Sequence, residues 1–303
     1  MNKTSSPPEK AAAAAPMKGN TMTTSTFVQR IRGLGVAALA VVALGLGIPG
    51  AADAAPSGGA GRPAPAKPTI VLVHGAWADA SSFALVTASL QHEGYTVLAA
   101  PNPLRGLTSD AAYIAAFVNQ STTGPVVLVG HSYGGAVMTN AATSIPTVKS
   151  LVYIGAYALA EGESVLDATA AQPGSALGVA DPTTVFNFVQ YPGAPAGDVD
   201  AYIKPKLFPG FFAAKLPTAV TSTLAASQSP VTLSALSEKS GAPGWAKIPS
   251  FFFIGSEDKI IPPAEQEVMA KRAGGYVERD RADHLSMLES PFKIVKLIER
   301  AAK

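Results

Sequence analysis

The stretch that decides the fold is Pro125-Val126-Val127-Leu128-Val129-Gly130-His131-Ser132-Tyr133-Gly134-Gly135-Ala136-Val137-Met138. Residues 126–129 are an unbroken apolar run behind a proline, which predicts a buried strand. Residues 133–144 predict a helix. Between them stands Gly-x-Ser-x-Gly, with glycines at 130 and 134. A strand that passes so abruptly into a helix needs a very tight turn. Side chains at 130 and 134 would collide with neighbouring backbone. The intervening Ser132 is thereby forced into a strained conformation that projects its hydroxyl away from the sheet. The motif occurs by chance elsewhere. In this strand–turn–helix setting it marks Ser132 as a candidate nucleophile.

Working outward, short apolar runs at 69–73, 95–99, 150–157, 250–254 and 276–278 read as further strands. Residues 80–93 have helical spacing, with Phe83, Val86 and Leu90 on one face. Residues 108–120 read as a helix with Thr108 or Ser109 as its N-cap. Helices are also expected at 262–273, with a proline at its start, and at 288–302. Apolar strands that alternate with helices predict an α/β fold, a mostly parallel sheet covered by helices on both faces. The alternation breaks between about 158 and 247. That segment is rich in Pro and Gly, has helix-like pieces such as 215–226, and shows no strong strand. An insertion there is expected to lie over the carboxyl edge of the sheet as a cap. Its aromatic residues Phe186, Phe188, Tyr191, Phe208, Phe211 and Phe212 suit either an apolar pocket lining or the packing of the cap itself.

A serine hydroxyl needs a base to take its proton. Of the four histidines, His131 adjoins the serine, where neighbouring side chains diverge. His74 ends the first strand and is suited to bracing the loop that follows. His92 lies near a helix end and reads as solvated. His284 sits in the polar loop between the last strand and the last helix, where the order Ser…acid…His places the base. The acid is expected after the strand at 250–254. Asp258 is the choice, Glu257 its near rival, and Asp283 the alternative beside the histidine. Its task is to hold the imidazole tautomer and stabilise the imidazolium. Two backbone N–H donors are needed for a developing oxyanion. Tyr133 supplies one by its place after the serine, and Ala76, in the loop after the first strand, is the candidate for the other. Trp77 is a candidate for the substrate pocket.

Composition narrows the alternatives. Hydrophobic residues make up 48% of the 303, ample for a core, and the charged fraction of 15% argues against a disordered body. No cysteine is present, which excludes a thiol nucleophile, a Cys-ligated zinc site and any disulfide. No cluster of His and carboxylates has metal-ligand spacing, so neither metal nor cofactor is expected. Residues 1–54 hold five Lys/Arg and two acids, leaving 18 basic and 19 acidic side chains in the rest. The body thus lacks the basic stripe that nucleic acid would need. Arg30 and Arg32, the uncharged run 33–52 and the small-x-small pattern Ala52-Asp53-Ala54 have the order of a secretory signal. Residues 1–54 therefore read as a signal peptide and 55–68 as a flexible linker. The domain proper is 69–303. Export to the periplasm or the extracellular space is expected, with no stable membrane association once the leader is cleaved.

Four motifs, VLVHGAW (71–77), VLVGHSYGG (127–135), FFIGSEDKIIPP (252–263) and ADHLSMLESP (282–291), stand in an order that resembles the α/β-hydrolase superfamily. More narrowly, they resemble bacterial carboxylesterases of the pyrethroid-esterase kind and the plant methylesterase and hydroxynitrile lyase branch. The resemblance implies a triad of Ser132, Asp258 and His284, and an oxyanion hole from Ala76 and Tyr133. The plant lyases carry a Lys just after the histidine, where this chain has Leu285. Dehalogenases and epoxide hydrolases of this fold use an Asp nucleophile, where this chain has Ser132. The implied function is a carboxylesterase acting on a small, apolar ester. A lyase or perhydrolase on the same triad, or a ligand-binding receptor on a hydrolase fold, are the alternatives.

Overall fold

The computed structural model describes residues 66–303. The expected leader, and all but the last three residues of the linker, lie outside the described residues.

Seven elements open the fold in regular alternation. They are β1 (Thr69–Val73), α1 (Ala84–His92), β2 (Val97–Ala100), α2 (Leu107–Ser121), β3 (Val126–Ser132), α3 (Tyr133–Ala141) and β4 (Val148–Ala156). The chain then makes α4 (Val165–Ala171), β5 (Phe186–Val189), β6 (Asp200–Ile203), α5 (Phe208–Phe212), α6 (Thr218–Ala226), β7 (Val231–Thr232) and α7 (Leu233–Ser237). It returns to the sheet with β8 (Ser250–Gly255), α8 (Pro263–Arg272), β9 (Tyr276–Asp280), α9 (Ser286–Glu289) and α10 (Pro291–Ala301).

Six strands form one sheet in the order β2-β1-β3-β4-β8-β9, with every neighbouring pair parallel. All seven residues of β3 are buried, so both faces of the sheet are covered. α10 shows how a covering helix is specified. Its Ile294, Val295, Leu297, Ile298 and Ala301 fall on one buried stripe, while Phe292, Lys293 and Lys296 face outward. This is the α/β-hydrolase fold. From β1 the chain steps to one side for β2 and to the other for β3. The sheet therefore has a switch point between the carboxyl ends of β1 and β3, where crevices form in such sheets.

Three local expectations differ from the structure. The second helix starts at Leu107 with Gly106 as its N-cap, so neither Thr108 nor Ser109 caps it. Instead, Ser109 Oγ bonds back to the Gly106 carbonyl from inside the first turn. The closing helix is broken, because Pro291 begins a new helix and cannot continue the turn of α9. The insertion between β4 and β8 also contains strands. β5, β6 and β7 form a small antiparallel sheet in which Phe186 pairs with Ile203 and Ala201 with Val231. Strands of two to four residues, paired across long loops, leave little periodicity to read.

Candidate active site

The turn at Ser132 is as tight as its glycines require. A Cβ on Gly130 would lie 2.7 Å from the carbonyl oxygen of Gly134. One on Gly134 would lie 2.3 Å from the carbonyl oxygen of Val73. β3 keeps pairing with β4 up to Ser132, and α3 starts at the next residue. Ser132 itself takes φ 54°, in the left-handed region that a residue with a Cβ rarely adopts.

Two residues from distant loops complete a hydrogen-bonded line. His284, after β9, places Nε2 3.0 Å from Ser132 Oγ. Its Nδ1 lies 2.9 Å from Oδ2 of Asp258, which follows β8. Asp258 Oδ1 accepts the N–H groups of Ile260 (2.8 Å) and Ile261 (3.0 Å), and Gln266 Nε2 donates to Oδ2 at 2.9 Å. With Asp258 accepting on one side, Nδ1 of His284 carries the proton and the Nε2 lone pair faces Ser132. Glu257 and Asp283 are turned elsewhere. Glu257 pairs with Lys215 and Arg281 at the surface. Asp283 accepts the N–H of Lys215.

At the end of β1, His74 accepts the Asn102 N–H at Nε2, and its Nδ1 lies 3.0 Å from the Gly75 carbonyl. Because Nε2 accepts, the ring is neutral, and burial lowers its pKa in the same sense. The loop it braces carries Ala76 and Trp77. The Trp77 N–H donates to the Ser229 carbonyl at 2.9 Å, while the Ala76 N–H has no acceptor among the described residues. The Tyr133 N–H belongs to the first turn of α3, where a helix leaves its donors free. Trp77 is held by its indole N–H on the Ala201 carbonyl (2.9 Å) and by rings of Phe186 and Phe212.

Ala76, Trp77, Ser132 and Tyr133 line one cavity of about 380 Å³. Its further walls include Val165, Leu177, Phe186, Phe188, Leu236 and Ile260, and no charged side chain among the described residues lines it. Leu166 and Val179, both exposed, belong to its rim. The hydroxyls of Tyr157 and Thr169 in the wall bond to each other at 2.7 Å. Of the six aromatic residues singled out in the insertion, Phe186 and Phe188 reach this cavity. Phe208 and Phe212 stack on each other, and Phe212 packs its ring edge-on against His284. Tyr191 instead bonds to Asp198, and Phe211 packs against the core.

Gln266 escaped the sequence reading, although it left a trace. Its neighbours on the buried face of α8 are Met269 and Ala270, and an uncharged polar residue on such a face needs a partner. His131 also meets His284, but through the backbone, with Nε2 3.0 Å from the His284 carbonyl and ring centres 4.7 Å apart. Among the described residues there is no group of three or more side chains able to hold a metal ion, and no helix long and apolar enough to cross a membrane.

A parallel sheet with this elbow and this loop order defines a hydrolase architecture. Residues 70–297 match the alpha/beta hydrolase family, and the chain belongs to it. It is similar to a carbendazim hydrolyzing esterase of Nocardioides (strain SG-4G), 32% identical over 108 residues, or 32% of this chain and 45% of that protein. It is 28% identical to a putative chloroplastic methylesterase 13 of Arabidopsis thaliana, over 66% of this chain and 48% of the other. The chain thus spans about half the length of these two curated relatives. An alpha/beta hydrolase of Aspergillus novofumigatus matches at 27% identity over 78% of this chain and 97% of its own length. Among solved structures, the fold resembles an extracellular alpha/beta-hydrolase of a Paenibacillus species (TM-score 0.62, 19% identity, 78% and 99% covered). It also resembles a pyrethroid hydrolase of Sphingobium faniae JZ-2 (TM-score 0.61, 19% identity, 78% and 97% covered).

Proposed function

We propose that this hydrolase is a serine carboxylesterase that cleaves small, apolar carboxylic esters through an acyl-enzyme on Ser132. The observation that carries the reading is the line Asp258–His284–Ser132, which ends in the wall of a neutral, apolar cavity. In this reading Ser132 Oγ attacks the ester carbonyl carbon as His284 Nε2 takes its proton. The carbonyl oxygen becomes an oxyanion, which the N–H groups of Ala76 and Tyr133 receive. His284 returns the proton to the departing alcohol, then activates water to release the acid. Asp258 keeps the imidazole in the working tautomer and stabilises the cation that forms at each step. The esterase names of the two bacterial and plant relatives favour the same reaction.

The cavity supports the substrate class. A charged acyl or alcohol group would lose its water against walls that offer no counter-charge, which is costly. Its volume suits a compact ligand. The same reading places the enzyme outside the cytoplasm, on the strength of its basic–apolar–small leader.

The test is a fluorophosphonate probe together with steady-state hydrolysis of neutral and anionic esters matched in size. Ser132→Ala is expected to abolish both labelling and turnover, and the neutral ester to be preferred at least tenfold in kcat/KM. Labelling that survives Ser132→Ala would remove the nucleophile from this reading. Labelling without multiple turnovers on any ester would favour a ligand-binding receptor.

A further inference from the structure

Tyr133 joins two parts of the molecule. Its N–H stands beside Ser132, while its phenol reaches α2, where Oη donates to Oδ2 of Asp110 at 2.9 Å. Asp110 is fully buried. Its neighbour Arg105 approaches with the backbone N–H alone, 3.2 and 3.1 Å from the two carboxylate oxygens. The Arg105 guanidinium is turned to Asp200 on β6. Burial raises the pKa of Asp110, and it pushes the Tyr133 phenol far above its ordinary value, so the phenol remains a donor.

A buried carboxylate without a cation is a poor choice for stability alone, since a well-packed apolar group in its place is often neutral or better. What this carboxylate does is bind two segments at once. One is the residue after Ser132. The other is the loop at Leu104 and Arg105, whose carbonyls accept the N–H (3.2 Å) and the hydroxyl (3.1 Å) of Thr232, next to the cavity residue Leu233.

We propose that Asp110 is a positioning residue that acts through the Tyr133 phenol to hold the Tyr133 N–H in place for the oxyanion. This rests on the serine-esterase reading above. Oxyanion donors work within a narrow range of about 2.7–3.1 Å. A displacement of ~1 Å in such a site costs on the order of a hundredfold in rate. Substrate binding in the apolar cavity does not use this donor before charge develops. The loss is therefore expected in kcat and not in KM.

The experiment compares Tyr133→Phe, Asp110→Ala and Asp110→Asn on one apolar p-nitrophenyl ester. It adds the affinity of an apolar trifluoromethyl ketone, whose serine adduct carries the oxyanion, and thermal melting. Tyr133→Phe and Asp110→Ala are expected to lower kcat by roughly 10–100-fold and ketone affinity in parallel, with KM within about threefold. Asp110→Asn, which keeps an acceptor for the phenol, is expected to recover most of the loss. Removing both groups is expected to cost no more than removing one, since they act as a unit. If Asp110→Ala does not fold, Tyr133→Phe alone decides. A Tyr133→Phe enzyme with kcat and ketone affinity within about threefold of wild type, and only its melting temperature lowered, would overturn the proposal. Ser132→Ala in parallel separates the two readings. If it retains hydrolysis, the esterase mechanism fails. If it is inactive while Tyr133→Phe behaves as wild type, only the role of Asp110 fails.

Discussion

Asp258 Oδ2 lies 2.9 Å from His284 Nδ1, and both side chains are fully buried. Every other bond to this carboxylate comes from its own neighbourhood, namely the N–H groups of Ile260 and Ile261 and the amide of Gln266. Asp258→Asn offers an amide donor in place of the acceptor and favours the wrong imidazole tautomer. A loss of roughly 10²–10⁴ in kcat/KM is expected, by analogy with the same change in serine proteases. Asp283→Asn, which keeps an acceptor for the Lys215 N–H, is expected to cost less than about tenfold. Glu257→Gln breaks surface ion pairs and is expected to be mild. Kinetics of the three variants on one ester, with circular dichroism for folding, check this. A near-wild-type Asp258→Asn would displace the acid.

Gln266 donates to both the Asp258 carboxylate and the Ile261 carbonyl, the latter at 2.8 Å, and so fixes the loop that presents the acid. Gln266→Leu removes a bond to a charged acceptor, worth about 1.5–3 kcal/mol. The expected result is a fall of about tenfold or more in kcat/KM with a modest loss of stability. Gln266→Glu sets a second carboxylate against the first and is expected to be worse. Equal kinetics for Gln266→Leu and wild type would show that the two isoleucine N–H groups suffice.

His131 is completely buried, and burial, with the neighbouring His284 ring, holds its pKa well below 6.5. His74 is lowered in the same direction, again chiefly by burial. The unfolded chain therefore takes up protons near pH 6.5 that the folded chain refuses. Their contribution to stability is complete above that pH and is lost as pH falls below it. The melting temperature is expected to decline between pH 6.5 and 5, and His131→Asn to make that decline shallower. An unchanged slope in the variant would assign acid sensitivity to other groups.

Gly134→Ala would set a methyl group 2.3 Å from the Val73 carbonyl oxygen and 2.7 Å from that of His74, both rigid backbone. Overpacking of this kind costs about 1–3 kcal/mol and sometimes more. Poor soluble yield, or a clearly lower urea midpoint with activity lost, is expected. A stable and active Gly134→Ala protein would contradict the close approach of α3 to β1.

The basic–apolar–small order of residues 30–54 leads to an expectation outside the described residues. Intact-mass and N-terminal analysis of exported protein should place the mature N-terminus between about residues 51 and 60, after the small-x-small pattern. Peptides covering residues 34–48 in that protein would argue against cleavage.

Much of this protein is written locally. The run at 69–73 is a strand from Thr69 to Val73, because a short run in which four of five residues are β-branched suits a strand buried on both faces. The elbow is legible because clashes among near neighbours determine it, and near neighbours are what a sequence displays. Tertiary structure decided which carboxylate meets His284. Glu257 and Asp258 differ by one position, and the choice depends on the N–H groups and the amide that draw Asp258 inward and on the cations that hold Glu257 outside. It also decided that Asp110 meets Tyr133 across 23 residues, and that β5, β6 and β7 exist at all. Such pairings are stabilised by partners far along the chain, and local preference in a few residues is too weak to announce them.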